Sequence, residues 1–256
     1  MNHYNNLVSI ITPTYNCAAF IAETIESVKT QSYVNWEMII VDDCSTDNTH
    51  EIVQKYAQND HRIRYFCLQH NSGAAVARNE AIKLAQGRWI AFLDSDDLWD
   101  VCKLEKQLNF MISNSYKFSY TEYREVNYIG QIITNRITGP TKITKLGMLL
   151  YCWPGCLTVM YDSSAIGLIQ IPPIKKNNDY AMWLLISQRA DCHLLKETLA
   201  SYRRREGSIS NQGYFTLIKW HYRLFKSVLN ANSFKCCMFT LNNIFFGIIK
   251  RLAYRS

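Results

Sequence analysis

Asp94, Asp96, Asp97 and Asp100 fall within seven residues, directly after the apolar run Trp89-Ile90-Ala91-Phe92-Leu93. The run has the composition of a buried β-strand, and carboxylates at its end cannot sit unpaired in a core, because an isolated buried anion is too costly. They must meet a cation. Oxygen donors of this kind suit Mg²⁺ or Mn²⁺, and Mg²⁺ commonly binds through one or two carboxylates plus the phosphates of its substrate. The chemistry indicated is the handling of a phosphate-bearing ligand. A plainer reading is helix capping by Asp97 or Asp100, since a helical pattern follows from Val101 to Ser113. Four acids exceed what capping needs.

The elements that must position these acids alternate along the first hundred residues. Leu7 to Thr12, Met38 to Val41, Ile63 to Leu68 and Trp89 to Leu93 read as strands; Ala18 to Thr30, a segment through Ile52, Val53 and Tyr56, and Ala74 to Ala85 read as helices. Such alternation predicts an α/β fold with a mostly parallel, Rossmann-like sheet covered by helices on both faces. Ligands of such sheets sit beyond the carboxyl ends of the strands. Three polar clusters fall there: Pro13-Thr14-Tyr15-Asn16, Asp42-Asp43 and Asp94 to Asp97.

A nucleotide accounts for the three together. An Asp at a strand end can accept the imide N–H of uracil, Tyr15 can stack on the base, and Arg78, on the helix opened by Ser72-Gly73, can reach a diphosphate whose remaining charge a metal neutralises. Each residue also has a local explanation: Asp42 and Asp43 as part of an Asx-rich turn through Ser45, and Arg78 as a solvated helix residue. No Gly-x-Gly-x-x-Gly follows the first strand and no Gly-x-x-x-x-Gly-Lys occurs, which disfavours NAD binding and P-loop ATPase chemistry.

Four ordered segments carry a resemblance. Val8 to Asn16, Ile40 to Asp47, Gly73 to Asn79 and the Asp94-Ser95-Asp96-Asp97 tetrad resemble the successive signatures of family 2 glycosyltransferases of GT-A fold; the likeness returns at Asn178 to Trp183 and at Tyr202-Arg203. In detail the chain is similar to bacterial enzymes that build O-antigen, capsule or teichuronic acid units. The resemblance implies inverting, metal-dependent transfer of a hexose from a UDP-sugar to a lipid-diphosphate-linked saccharide. It implies that Asp43 holds the uracil against Tyr15 and that Arg78 lies near the diphosphate. Pro13, Asp42 and Ser95 belong to the same donor motifs. Asp96 becomes the principal ligand of Mn²⁺ or Mg²⁺, with Asp94 reaching metal or ribose, and Asp179 becomes the catalytic base. The chain departs from the family in having Asn178, taken as acceptor-binding, where Glu is common, which removes a charge beside the base and is expected to lower its pKa, and Arg205 where His is common, which suggests a diphosphate clamp or else a surface arginine. Trp153 is either an apolar platform for the acceptor sugar or a core residue.

Two rivals from other classes remain: a membrane-surface protein that binds nucleotide-sugar without turnover, and a sugar nucleotidyltransferase. The intact Asp96 and Asp179 argue against the first, and the missing Gly-rich phosphate loop against the second.

The 256 residues, 48% of them hydrophobic, suffice for one large domain plus an appendage. We expect a catalytic domain over residues 1–212, with a donor half to about 100 and an acceptor half after it, and a basic amphipathic helical tail over 213–256. The formal charge of +7 is uneven: Tyr202 to Ser256 holds ten Lys/Arg against Glu206 alone, while residues 1–201 are near neutral. Basic residues mixed with aromatics such as Phe239, Phe245 and Phe246 match a helix lying on an anionic membrane. A greasy stretch from Phe239 to Ile249 disfavours nucleic acid, and no apolar run is long enough to span a bilayer. Packing of the tail on the body is the competing reading. The polar Met1 to Asn6 lacks a signal-peptide pattern, and nine scattered cysteines suggest reduced thiols, so the expected place is the cytoplasm, at the inner face of the cell membrane.

Overall fold

The computed structural model describes residues 6–205 and 214–255. A ten-stranded mixed sheet runs in the order β3-β2-β1-β4-β9-β6-β10-β5, with β7 (Ile132–Ile137) on β6 and β8 (Lys142–Ile143) on β10. Its N-terminal half is parallel: β1 (Val8–Thr14) lies between β2 (Trp36–Asp42) and β4 (Trp89–Phe92), and β3 (Ile63–Cys67) flanks β2. Period-two alternation sends Val8, Ile10, Met38 and Ile40 into one core, against α1 (Ile21–Lys29), α2 (Thr49–Asn59) and α4 (Lys103–Ser113). Ile11, Ile39 and Val41 enter the other, which contains residues of α3 (Ala74–Lys83) and α7 (Asn178–Ile186). Helices on both faces follow from strands that are apolar on both sides. Register pairs Thr14 with Asp42 and Ile11 with Phe92, so the residues after β1, β2 and β4 emerge on one rim.

The second half is woven in by antiparallel pairing. The short β9 (Met160–Asp162) joins β4 to β6 (Phe118–Val126), and β10 (Cys192–Arg203) runs parallel to β6 and pairs at its far end with β5 (Leu98–Trp99). β10 thus delivers Arg203 and Arg205 to the loop between β4 and β5. That pairing explains why the tetrad does not cap α4. The N-cap of α4 is Cys102 without a side-chain bond; Asp97 Oδ1 instead accepts the Arg203 N–H at 2.9 Å, and Asp100 pairs with Arg124. Gly87 permits a close crossing, since a Cβ there would lie 2.6 Å from the Leu7 carbonyl oxygen.

The boundary expected between residues 212 and 213 lies outside the described residues. Beyond it, α8 (Tyr214–Leu229) and α9 (Ser233–Ala253) form a hairpin that packs on the body through one face. Leu224, Phe225 and Cys236 join the same core as Trp183, and Asn243 donates to the Tyr180 hydroxyl at 3.1 Å. The opposite face of α9 is exposed and apolar, with Phe234, Met238, Leu241, Phe245, Ile248 and Leu252 recurring at three- and four-residue spacing. From Tyr214 to Arg255 the chain has seven Lys/Arg and no acidic residue. Among the described residues no helix is long and apolar enough to cross a membrane.

Candidate active site

Three groups of side chains line the rim. The first follows β2. Asp42 Oδ1 accepts from the Ser45 N–H and hydroxyl at 2.9 and 2.6 Å, and its Oδ2 accepts from the Tyr65 hydroxyl at 2.7 Å. Asp43 accepts the N–H groups of Ser72 at 2.6 Å and of Gly73 at 2.8 Å. Gly73, at φ 93°, holds the left-handed conformation that lets its N–H face Asp43 while α3 begins at the next residue. Both carboxylates therefore shape the loops around the rim. Asn16, Ser45 and Thr46 tie the β1 and β2 loops together, leaving Tyr15 45% exposed at the mouth. Pro13 stays within β1, buried opposite Val41.

The second group centres on Arg78, only 4% exposed although it lies on a helix. One guanidinium nitrogen donates to Asp94 Oδ1 at 2.7 Å and lies 3.6 Å from Cys156 Sγ; another donates to the Asn178 side-chain oxygen. Burial disfavours its charge, but Cys156, Asp94 and Asp179 more than offset this and hold the guanidinium protonated. Asp179, in the first turn of α7, accepts the Tyr180 N–H on Oδ1 at 2.8 Å. Burial lifts its carboxyl above the ordinary range despite the opposing pull of Arg78. Asp179 does not cap α7: the N-cap is Asn177, left-handed at φ 58° and without a side-chain cap bond.

The third group surrounds Asp96. Arg205 Nε lies 2.6 Å from Asp96 Oδ2, and Arg203 Nε donates to the Asp96 carbonyl at 3.0 Å while pairing with Glu23 at 2.5 Å. Phe20 packs under both guanidinium groups, at 4.9 and 5.9 Å. Burial raises the Asp96 carboxyl, with Arg205 pulling the other way. Ser95 is buried, and its carbonyl accepts from Cys17 and Thr24.

The structure thus brings Arg78, Asp94, Asn178 and Asp179 into one cluster, and Asp96 and Arg205 into another joined to it through the tetrad. Trp153 lies apart. It is 6% exposed, ringed by Tyr151, Phe246 and Tyr254, and its carbonyl accepts from Lys250 at 2.8 Å. Sequence reasoning missed Cys156, which touches both Arg78 and Asp94, and Tyr65 and Glu23, which hold Asp42 and Arg203. No spacing signal marks any of the three. Among the described residues no three His, Cys, Asp or Glu side chains converge as a ready-made metal cage. Asp94 and Asp96 each face one guanidinium, and such a pair fits a cation that takes its remaining ligands from a diphosphate.

Comparison with known proteins gives the family and the fold. The model for glycosyl transferase family 2 matches residues 9–159. TuaG of Bacillus subtilis (strain 168), a glycosyltransferase assigned to teichuronic acid biosynthesis, is 47% identical over 212 residues, covering 82% of this chain and 84% of its own. WfgD of Escherichia coli, a UDP-Glc:alpha-D-GlcNAc-diphosphoundecaprenol beta-1,3-glucosyltransferase, is 39% identical over 81% of each chain. Among solved structures, S. aureus TarS 1-349 in complex with UDP-GlcNAc superimposes with a TM-score of 0.74 at 24% identity, covering 94% of this chain and 73% of that one. The GT-A fold expected from the motifs is the fold observed.

Proposed function

The chain belongs to glycosyl transferase family 2, and from that premise we propose that it is an inverting enzyme that moves a hexose from a UDP-sugar to a lipid-diphosphate-linked saccharide. The observation that carries this reading is the cluster of Asp179, Arg78 and Asp94 at the carboxyl rim of the parallel strands. A base, a buried cation and an acid facing solvent are what displacement at a sugar diphosphate requires.

Inversion calls for one carboxylate that takes the acceptor hydroxyl's proton as that oxygen attacks C1 opposite the leaving group. Asp179 fills this role. Burial raises its carboxyl above the ordinary range, which makes it a stronger base than a surface Asp, and Arg78 pulls the other way. Tyr15 offers an exposed ring to the uracil, and Asp43, which orders Ser72 and Gly73, fixes the wall beside it. Arg78 and Arg205 orient the diphosphate. Asp96 and Asp94 would hold a Mn²⁺ or Mg²⁺ shared with that diphosphate, and the ion supplies Lewis-acid stabilisation of the departing group. The Asn178 amide oxygen bonds Arg78 and holds it toward Asp94, beside the acceptor hydroxyl. Trp153, enclosed by α9, acts by supporting the acceptor side from within.

The donor and acceptor in WfgD's name guide the choice of UDP-glucose and a GlcNAc-diphosphate lipid. The exposed apolar stripe of α9 together with the acid-free basic tail supports peripheral attachment to the inner face of the cell membrane. The test is incubation of the protein with UDP-glucose, Mn²⁺ and a GlcNAc-diphosphate lipid, with the product linkage read by NMR. A β-linked product from the α-linked donor is expected. An α-linked product, or transfer to none of a panel of UDP-sugars and diphosphate lipids, overturns the reading.

A further inference from the structure

A cavity of about 460 Å³ lies between the segment before α7 and the outer side of α8. Pro173, Ile174 and Leu224 give it apolar walls, and Lys175, Lys176, Arg223 and Lys226 give it four cations. Arg223 stacks over the Trp220 ring at 5.1 Å, which presents a flat cationic and aromatic face. Among the described residues no carboxylate pairs with Lys175, Lys176 or Arg223, and no acid lines the cavity. Lys226 donates to the Ala231 carbonyl at 3.2 Å, which leaves three positive residues without counter-charges at the border of an apolar floor, complementary to an anion that carries a hydrocarbon chain.

Both walls are tied to the candidate base. Lys176 is three residues from Asp179, so their Cα atoms are at most about 11 Å apart. Asn177 turns the chain from that wall into α7. The other wall, α8, packs His221 and Phe225 against the Tyr180 ring, at 6.1 and 6.0 Å, immediately after Asp179 in the chain. An acceptor whose attacking hydroxyl lies at Asp179 and whose diphosphate is one sugar ring away has that diphosphate within reach of the Lys175-Lys176 wall. We propose that this cavity is the acceptor's diphosphate-lipid subsite: Lys175, Lys176 and Arg223 bind the diphosphate, and Ile174 and Trp220 contact the first carbons of the lipid. The inference rests on the glycosyltransferase reading above and assigns the residues that recognise the acceptor.

The test uses the full-length protein and two acceptors, an alkyl-diphosphate-linked GlcNAc and the same alkyl GlcNAc lacking the diphosphate. Lys175→Ala/Lys176→Ala and, separately, Arg223→Ala should each raise KM for the diphosphate acceptor about tenfold or more, the loss expected for a charge-assisted contact. Their kcat, their KM for the plain alkyl glycoside and their affinity for UDP should be unchanged. Equal effects on both acceptors, or none on either, overturn the subsite. A second arm needs no turnover: direct binding of farnesyl diphosphate should weaken in the same variants, while farnesol and inorganic pyrophosphate bind poorly to all forms. Competition of UDP with farnesyl diphosphate would place the probe in the donor site and also overturn the proposal. Farnesyl diphosphate binding that follows the variants in a protein that transfers no sugar would leave the subsite standing and refute the enzymatic reading alone.

Discussion

Arg78 is the side chain on which the site's electrostatics turn, and replacing it by Met tests that directly. The substitution keeps most of the apolar stem but removes the 2.7 Å bond to Asp94 and the bond to Asn178, leaving Asp94 and the enclosed Asp179 without their shared cation. Truncating one partner of a buried pair costs roughly 3–5 kcal/mol. The Asp94 side chain is 34% exposed, so water recovers part of this and the expected loss is about 2–3 kcal/mol. In urea unfolding this corresponds to a midpoint lower by about 1 M. If the loss arises from uncompensated charge, adding Asp94→Asn to Arg78→Met should restore a large part of it, and Arg78→Lys should fall between wild type and Met. A loss below about 0.5 kcal/mol, or strictly additive losses in the double variant, would refute the idea that Arg78 acts by neutralising Asp94 and Asp179.

Asp179→Asn should lower kcat roughly 10²-fold or more with UDP affinity nearly intact, because the amide keeps the shape but cannot take the proton; a collapse of UDP affinity with normal kcat would make it a binding residue. Asp96→Ala and EDTA should each abolish turnover, with Mn²⁺ or Mg²⁺ restoring the EDTA-treated wild type but not the variant; full activity in EDTA would exclude the proposed cation. Leu241→Glu/Phe245→Glu should release the protein from anionic liposomes without altering UDP binding, and unchanged sedimentation would remove α9 as the attachment face. Burial lowers the Lys250 ammonium from 10.5 to about 8, so folding favours its neutral form. Stability from this group is complete only above the unfolded value and is lost as pH falls through about 8, a swing of about 3 kcal/mol that Lys250→Met should flatten in urea titrations across that window.

The N-terminal half was legible because its signals are local. Strand runs of four to seven residues, each buried on both faces, announce themselves by composition, and the polar residues that follow them fall on one rim through parallel pairing alone. The ends moved by one to three residues, as with the helix expected to begin at Ala18, which begins at Ile21. The capping role expected for Asp97 or Asp100 failed because β10, a hundred residues later, brings Arg203 to Asp97, while Arg124 of β6 takes Asp100. Sequence spacing is silent about such partners. The same holds for Cys156, whose place between Arg78 and Asp94 depends on β9 crossing beside β4.

The tail illustrates a different limit. Its basic and aromatic composition suggested a lipid-bound appendage, and composition alone cannot separate a face that packs from a face that stays exposed. The structure divides them by angle around one helix. Asn243, Phe246 and Lys250 of α9 turn inward to Tyr180, Trp153 and the Trp153 carbonyl. Phe234, Met238, Leu241, Phe245, Ile248 and Leu252 turn outward. Tyr180 follows the candidate base in α7, and its hydroxyl is held between the Met148 carbonyl and Asn243. The helix whose apolar face lies exposed therefore also braces the turn that carries Asp179. On the proposed reading, attachment and acceptor chemistry would share one support, and an acceptor rising from the bilayer along α8 would meet the lysines before α7 ahead of the base.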